Sequence, residues 1–261
     1  MVYDHGQLLK TSPIYQQLLI FRAAVAPQPS MSMISFSRMP DARAMTMRVR
    51  MRDMVDIIRD EDLKGSDVRL WQLVAARSRR GADAEDIDRR IWNLFGERWA
   101  VMFTDLSGFS RQVAAFGIIH FLQIIYEQKR ILLPIVALHD GILIKVEADS
   151  FLILFKRPER ALDCALEMQK ASRKYNRRRR PEERLLLCVG IGYGDVLRIG
   201  DSDVFGQEVN AASKLGEDTA KSGEILITDA TREAITKLRK LRYDELGVDV
   251  AGVKRTWRVR S

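Results

Sequence analysis

A chain of 261 residues with 46% hydrophobic and 30% charged residues has the balance of a globular protein, which excludes disorder throughout. Its length fits one large domain, or a domain of about 150–200 residues with an extension. The net charge of +8 and pI near 9.6 attract nucleic acid, acidic lipid and polyphosphates alike, so charge selects no function. The two cysteines, Cys164 and Cys188, lie in apolar stretches without a CxxC partner. That excludes a disulfide framework and suits buried thiols in a reducing compartment.

Residues 1–46 show no sustained period and contain Pro13, Pro27, Pro29 and Pro40. They read as an irregular or disordered tail. The best apolar core near the start, Leu18–Phe21, is too short for a secretory signal and follows Asp4 instead of a basic cluster. The longest apolar candidate, Phe116–Tyr126, is interrupted by His120 and Gln123 and falls short of the roughly 20 residues a bilayer demands. No membrane span is expected, and the location expected is cytoplasmic.

Residues 47–98 read as a helical extension that either covers a face of the following domain or serves as a dimerisation or regulatory arm. Ser66 is the expected cap of a helix bearing Val68, Leu70, Trp71 and Val74, ended by Gly81. Asp83 is the expected cap of a second, with Ile87, Ile91, Leu94 and Phe95 spaced at three and four.

Ala100–Phe103 is a short apolar run of the kind that makes a buried strand, and it leads into Asp105 and the turn pair Ser107-Gly108. A carboxylate at the end of a buried strand needs a cation or hydrogen-bond donors, because burying it alone costs several kcal/mol. The alternative is that Asp105 caps the next helix. Glycine at 108 lets backbone amides approach an anion closely. Phe109–Leu138 then reads as one long helix or two, with Pro134 the point where it would break.

Gly141–Phe155 is a hairpin, with strands Ile142–Val146 and Phe151–Phe155 and a turn at Glu147-Ala148-Asp149-Ser150. Lys145 interrupts the first strand, as an edge residue would. Pro158–Tyr175 is an amphipathic helix with Ala161, Leu162, Ala165, Leu166 and Met168 inward. Arg177–Arg180 lack interleaved aromatics and read as a solvated loop, so nucleic acid is not expected as a partner. Leu185–Val196 is a strand whose glycines, in GIGYGD, imply close backbone approach. A helix enters at about Gln207, placing Asn210 and Lys214 on one face. Glu224–Thr228, a helix over 229–238 and a strand over 248–259 complete the chain.

This order gives an α+β fold, a ferredoxin-like βαββαβ core sheet with helices on one face plus the N-terminal helical extension. In it Asp105 ends the first strand and Asp149 sits on the turn after its neighbour, so the carboxylates converge. A pair of carboxylates without His or Cys suits Mg²⁺ or Mn²⁺, and two such ions per site serve phosphoryl transfer.

FTDLSGF, KVEAD and DVFGQEVNAASKL, in this order and spacing, resemble the class III nucleotidyl cyclase catalytic domain over about Trp99–Val259. The resemblance implies a catalytic domain over 99–261 that converts ATP to 3′,5′-cyclic AMP and pyrophosphate. It assigns metal binding to Asp105 and Asp149, adenine reading to Lys145 and Asp203, and ribose orientation to Asn210. Gly108 and Phe109 fall beside the substrate. The family divides these residues between two subunits, which implies a homodimer with sites at the interface. The chain departs from the family in two places. Ala148 stands where glycine is usual, and Lys214 stands where a transition-state arginine is usual, keeping the charge but losing the planar fork. Lys214 therefore also supports a second reading, a catalytically weak nucleotide-binding regulator. VEADSF echoes the GGDEF turn of diguanylate cyclases, but the missing Gly-Gly pair and the Asn210/Lys214 helix argue against that family.

Overall fold

The computed structural model describes residues 65–108, 115–236, 241–247, 250 and 252–260, all within one compact unit. The expected tail over 1–46 and the start of the extension lie outside the described residues, as does Phe109. The central strand β1 (Gly96–Leu106) is buried on both faces because its apolar run has no polar alternation. Ala100, Met102 and Leu106 face one core and Trp99, Val101 and Phe103 the other.

After β1, α3 (Ile118–Leu138) leads into the hairpin of β2 (Ile142–Glu147) and β3 (Ser150–Phe155). Then α4 (Pro158–Asn176) leads to β4 (Leu187–Ile199). The first four strands lie in the order β2-β3-β1-β4, the ferredoxin-like arrangement. α3 and α4 pack on one face, through Leu132, Val136, Leu162 and Met168. Leu166 is only partly buried. Pro134 lies inside α3 without ending it. Packing by Leu132, Ile135 and Val136 offsets its cost of about 3 kcal/mol.

The sheet then extends by β6 (Ile225–Thr228), β8 (Thr256–Arg260) and β7 (Arg242–Leu246), with the short β5 (Asp203–Phe205) pairing to the far end of β4. Neither β5 nor β7 follows from sequence pattern: three residues are too few for a period, and Arg242–Leu246 alternates weakly. Of the expected strand over 248–259, Thr256 onward lies in β8, and the last helix among the described residues, α6, spans Asp229–Thr236.

α5 (Gln207–Ser213) crosses the opposite face of the sheet, directly on β4. The glycines of GIGYGD make room for it. An added Cβ at Gly190 would lie 2.2 Å from the Ala212 carbonyl oxygen, and one at Gly192 2.3 Å from that of Glu208. The close approach expected of these glycines is thus made by a helix. The Glu208 carboxylate fixes the contact, accepting from the Tyr193 amide at 3.0 Å and the Thr228 hydroxyl at 2.7 Å.

α1 (Ser66–Arg77) and α2 (Ala84–Phe95) bury Leu70, Leu73, Ile87, Ile91 and Phe95 against Ile199 of β4. Asp83 caps α2 through the Asp86 amide, whereas Ser66 is the first helical residue of α1 and Gly65 holds its cap position. Burial pushes both free thiols, Cys164 and Cys188, up to about 12 and leaves them inert. The arginines 177–180 are exposed. No helix among the described residues is long and apolar enough to cross a membrane.

Gly190→Ala should force α5 off β4 and destabilise the fold by about 3 kcal/mol, at the upper end of overpacking costs, measured by urea unfolding. Gly223→Ala, at an exposed position where nothing lies within 4 Å, strains only its own positive-φ turn and should not displace α5.

Candidate active site

The antiparallel pairing of β1 with β3, in register at Thr104 and Phe151, brings the end of β1 beside the hairpin tip. Asp105 and Asp149 meet there. The Ser150 hydroxyl donates to Asp105 Oδ1 at 3.2 Å, and the Leu106 amide donates to Asp149 Oδ2 at 3.3 Å. The tip is anchored from below by Gln128 of α3, whose side-chain amide donates to the Asp149 carbonyl at 2.7 Å. Gln128 escaped the sequence reading, although its spacing from Phe121, Ile124 and Leu132 placed it on the buried face. β2 and β3 extend so far that only Ala148 and Asp149 remain in the turn. Ala148 adopts φ +50°, a left-handed conformation that costs an L-residue about 1 kcal/mol and suits glycine.

Asp149 is only 6% exposed. Burial, and after it the charge of Asp105, pushes its carboxyl up to about 7. Burial also raises Asp105. The groups that act on the pair are carboxylates, a hydroxyl and backbone amides, not cations. A half-buried and a buried carboxylate with no ion-pair partner among the described residues, offering hard oxygen donors alone, fit a divalent cation of the Mg²⁺ or Mn²⁺ type. Among the described residues no three His, Cys, Asp or Glu side chains converge. A cation here would therefore complete its shell with water and phosphate oxygens, the usual habit of Mg²⁺.

On the other side of the hairpin, Lys145 sits at a bulge in the edge strand β2, and its ammonium donates to Asp203 Oδ2 of β5 at 2.6 Å. Both side chains are about one-third exposed, 35% and 29%. The two residues singled out together in the sequence are thus in contact across 58 positions of chain. Asn210 and Lys214 are exposed, and Lys214 pairs with Asp218 at 4.0 Å. Gly108, at φ +89°, turns the chain after β1.

Residues 96–259 match the family model of the adenylate and guanylate cyclase catalytic domain. The chain belongs to that class III cyclase family. This cyclase domain is 30% identical over 136 residues to "Putative adenylate cyclase 3" of Rhizobium meliloti (strain 1021), covering 52% of this chain and 23% of that protein. It is 28% identical over 134 residues to the serine/threonine-protein kinase pkn2 of Myxococcus xanthus, covering 51% of this chain and 16% of that protein. The chain thus spans less than a quarter of either curated relative. Among solved structures, it resembles the adenylate/guanylate cyclase/hydrolase from Silicibacter pomeroyi, with TM-score 0.57 and 26% identity over 64% of this chain and 99% of that one. It shares the fold of the adenylyl cyclase CyaB from P. aeruginosa, with TM-score 0.53 and 22% identity over 64% and 96% of the two chains.

The folded cyclase domain keeps a proton on Asp149 up to about pH 7, whereas an unfolded carboxyl releases it near 3.8. Between those values the native state binds more protons, so the stability of metal-free protein should fall as pH rises from about 4 to about 7. Asp149→Asn should flatten that decline and stabilise metal-free protein at pH 8 by on the order of 2 kcal/mol. Thermal unfolding across pH, with and without Mn²⁺, checks this, and Mn²⁺ should stabilise only the wild type.

Proposed function

We propose that this domain is an adenylate cyclase, converting ATP to 3′,5′-cyclic AMP and pyrophosphate. The observation that carries the reading is the Asp105/Asp149 pair, half-buried and buried, with no ion-pair partner among the described residues. Divalent cations bound there, two per site, would lower the pKa of the ribose 3′-hydroxyl and offset charge growing on the α-phosphate. The 3′-hydroxyl gives up its proton to water, its oxygen forms a bond to the α-phosphorus, the bond to the bridging oxygen breaks, and pyrophosphate leaves with that electron pair. Asp105 and Asp149 would hold the cations, and the turn at Gly108 would border the phosphates, where the family resemblance also assigns Phe109.

Lys145 and Asp203 present one donor and one acceptor side by side, which matches the ring nitrogen and exocyclic amine of adenine. Guanine offers an acceptor where adenine has its amine. The name carried by the Rhizobium meliloti relative agrees with adenine. Asn210 orients the ribose and Lys214 donates to the phosphate in the transition state. Exposure of both supports their use across the interface of a homodimer, facing the carboxylate pair of a second copy.

Lys214 also supports a second reading, a weakly catalytic nucleotide-binding regulator, because an ammonium cannot grip two oxygens as a guanidinium does. The decisive measurement is a product assay on the full chain with Mn²⁺ and each of ATP, GTP, CTP and UTP. Cyclic AMP should form, and Asp105→Ala with Asp149→Ala should abolish it. Absence of any cyclic product from a folded dimer that binds ATP would leave the regulator. Lys214→Arg should raise kcat by about 10²-fold, the worth of one good transition-state donor. An unchanged rate in this variant would show that lysine serves fully.

A further inference from the structure

α5 does not end at Ser213 but continues as a π-helical turn over Lys214–Thr219, a widened form frequent at functional sites. Gly216 lets this turn sit flush on the sheet. An added Cβ there would lie 2.9 Å from the Phe103 carbonyl oxygen of β1 and 3.0 Å from the Gly190 nitrogen of β4. The residue that follows, Glu217, is thereby carried to the Asp105 end of β1.

The Glu217 carboxylate accepts a hydrogen bond from the Ser213 hydroxyl, and the Ser150 side chain stands close enough to favour its charged form. The groups acting on it are those two hydroxyls and the carboxylates of Asp105 and Asp218. No cationic side chain is among them. Nor does it complete a three-carboxylate cage with Asp105 and Asp149. What it shares with Asp105 is Ser150, whose hydroxyl now donates to Asp105 Oδ1 at 3.2 Å. A hydroxyl has one proton to donate, so Ser150 cannot serve both carboxylates. A cation on Asp105 would claim its lone pairs and repel that proton, and Glu217 is the acceptor within reach.

We propose that Glu217 is a positioning residue for the cation site, taking over the Ser150 hydroxyl when Asp105 turns its oxygens to the metal. This rests on the reading of Asp105 and Asp149 as cation ligands. Without Glu217 the displaced hydroxyl is orphaned in the loaded state, and loading is weakened. Outer-shell partners of metal ligands are worth about 10–100-fold in affinity.

The test is uptake of Mn²⁺ alone by the full chain, without nucleotide, read by electron paramagnetic resonance of the free ion. Glu217→Ala should weaken binding by about tenfold. In a Ser150→Ala background the same substitution should change nothing further, since no hydroxyl remains to be handed over. A double-mutant cycle isolates that coupling. Should Glu217→Ala not fold, Glu217→Gln replaces it. This change keeps the size but removes the charge, and should weaken Mn²⁺ less than the alanine does, again only when Ser150 is present. An equal loss with and without Ser150, or no loss, overturns the inference and leaves the cation site standing. Wild-type protein that takes up no Mn²⁺, either alone or with a non-cyclisable ATP analogue, removes the cation site and the inference together.

Discussion

Two carboxylates held side by side out of water repel each other and resist ionisation, and this arrangement sets the demands that the surrounding elements meet. Asp105 comes from the end of a strand paired on both sides, and so is rigid. Asp149 comes from a hairpin tip, which is not rigid by itself. The Leu106 amide on its carboxylate and the Gln128 side chain on its carbonyl hold it in place. Even the backbone is strained there, with Ala148 in a conformation that glycine would adopt freely. Strain and like-charge repulsion at one point are typical of a site prepared for a ligand that is absent from the bare chain.

The second demand is that α5 reach the same strand from the other face. Gly190 and Gly192 permit this by removing side chains where the helix backbone passes, and Gly216 prolongs the contact onto β1. The helix bearing Asn210 and Lys214 is thereby locked to the strand bearing Asp105, through a sheet with no slack between. In a packed interior a displacement of either element is transmitted to the other.

Lys145 and Asp203 answer to a different constraint. Lys145 stands on an edge strand, where a bulge between Leu143 and Lys145 breaks the register. Asp203 begins a three-residue strand held only by its pairing with β4. β5 returns along β4 and carries the carboxylate up to the ammonium. The pair stays about one-third exposed, where a charged donor and acceptor remain open to a flat polar ligand.

Much of this was legible in the sequence, because it depends on local pattern. The apolar run of β1, the alternation of the hairpin, the period of α4 and the Asp83 cap are properties of contiguous residues, and each element formed close to its expected bounds. The order of those elements fixed the β2-β3-β1-β4 arrangement, since short connections leave few alternatives. Asp105, Asp149 and Lys145 stood out as charges in apolar or turn contexts, and Asp203 was reached only through the family resemblance. The remainder depends on contacts between residues distant in the chain. β5 and β7 exist because β4 and β8 offer them partners, and Pro134 stays helical because the core on its flanks outweighs the lost hydrogen bond. Gln128, Ser150 and Glu217 look like ordinary polar residues along the chain. Only the tertiary fold, by bringing three separate segments to the end of one strand, decided that they surround the carboxylate pair.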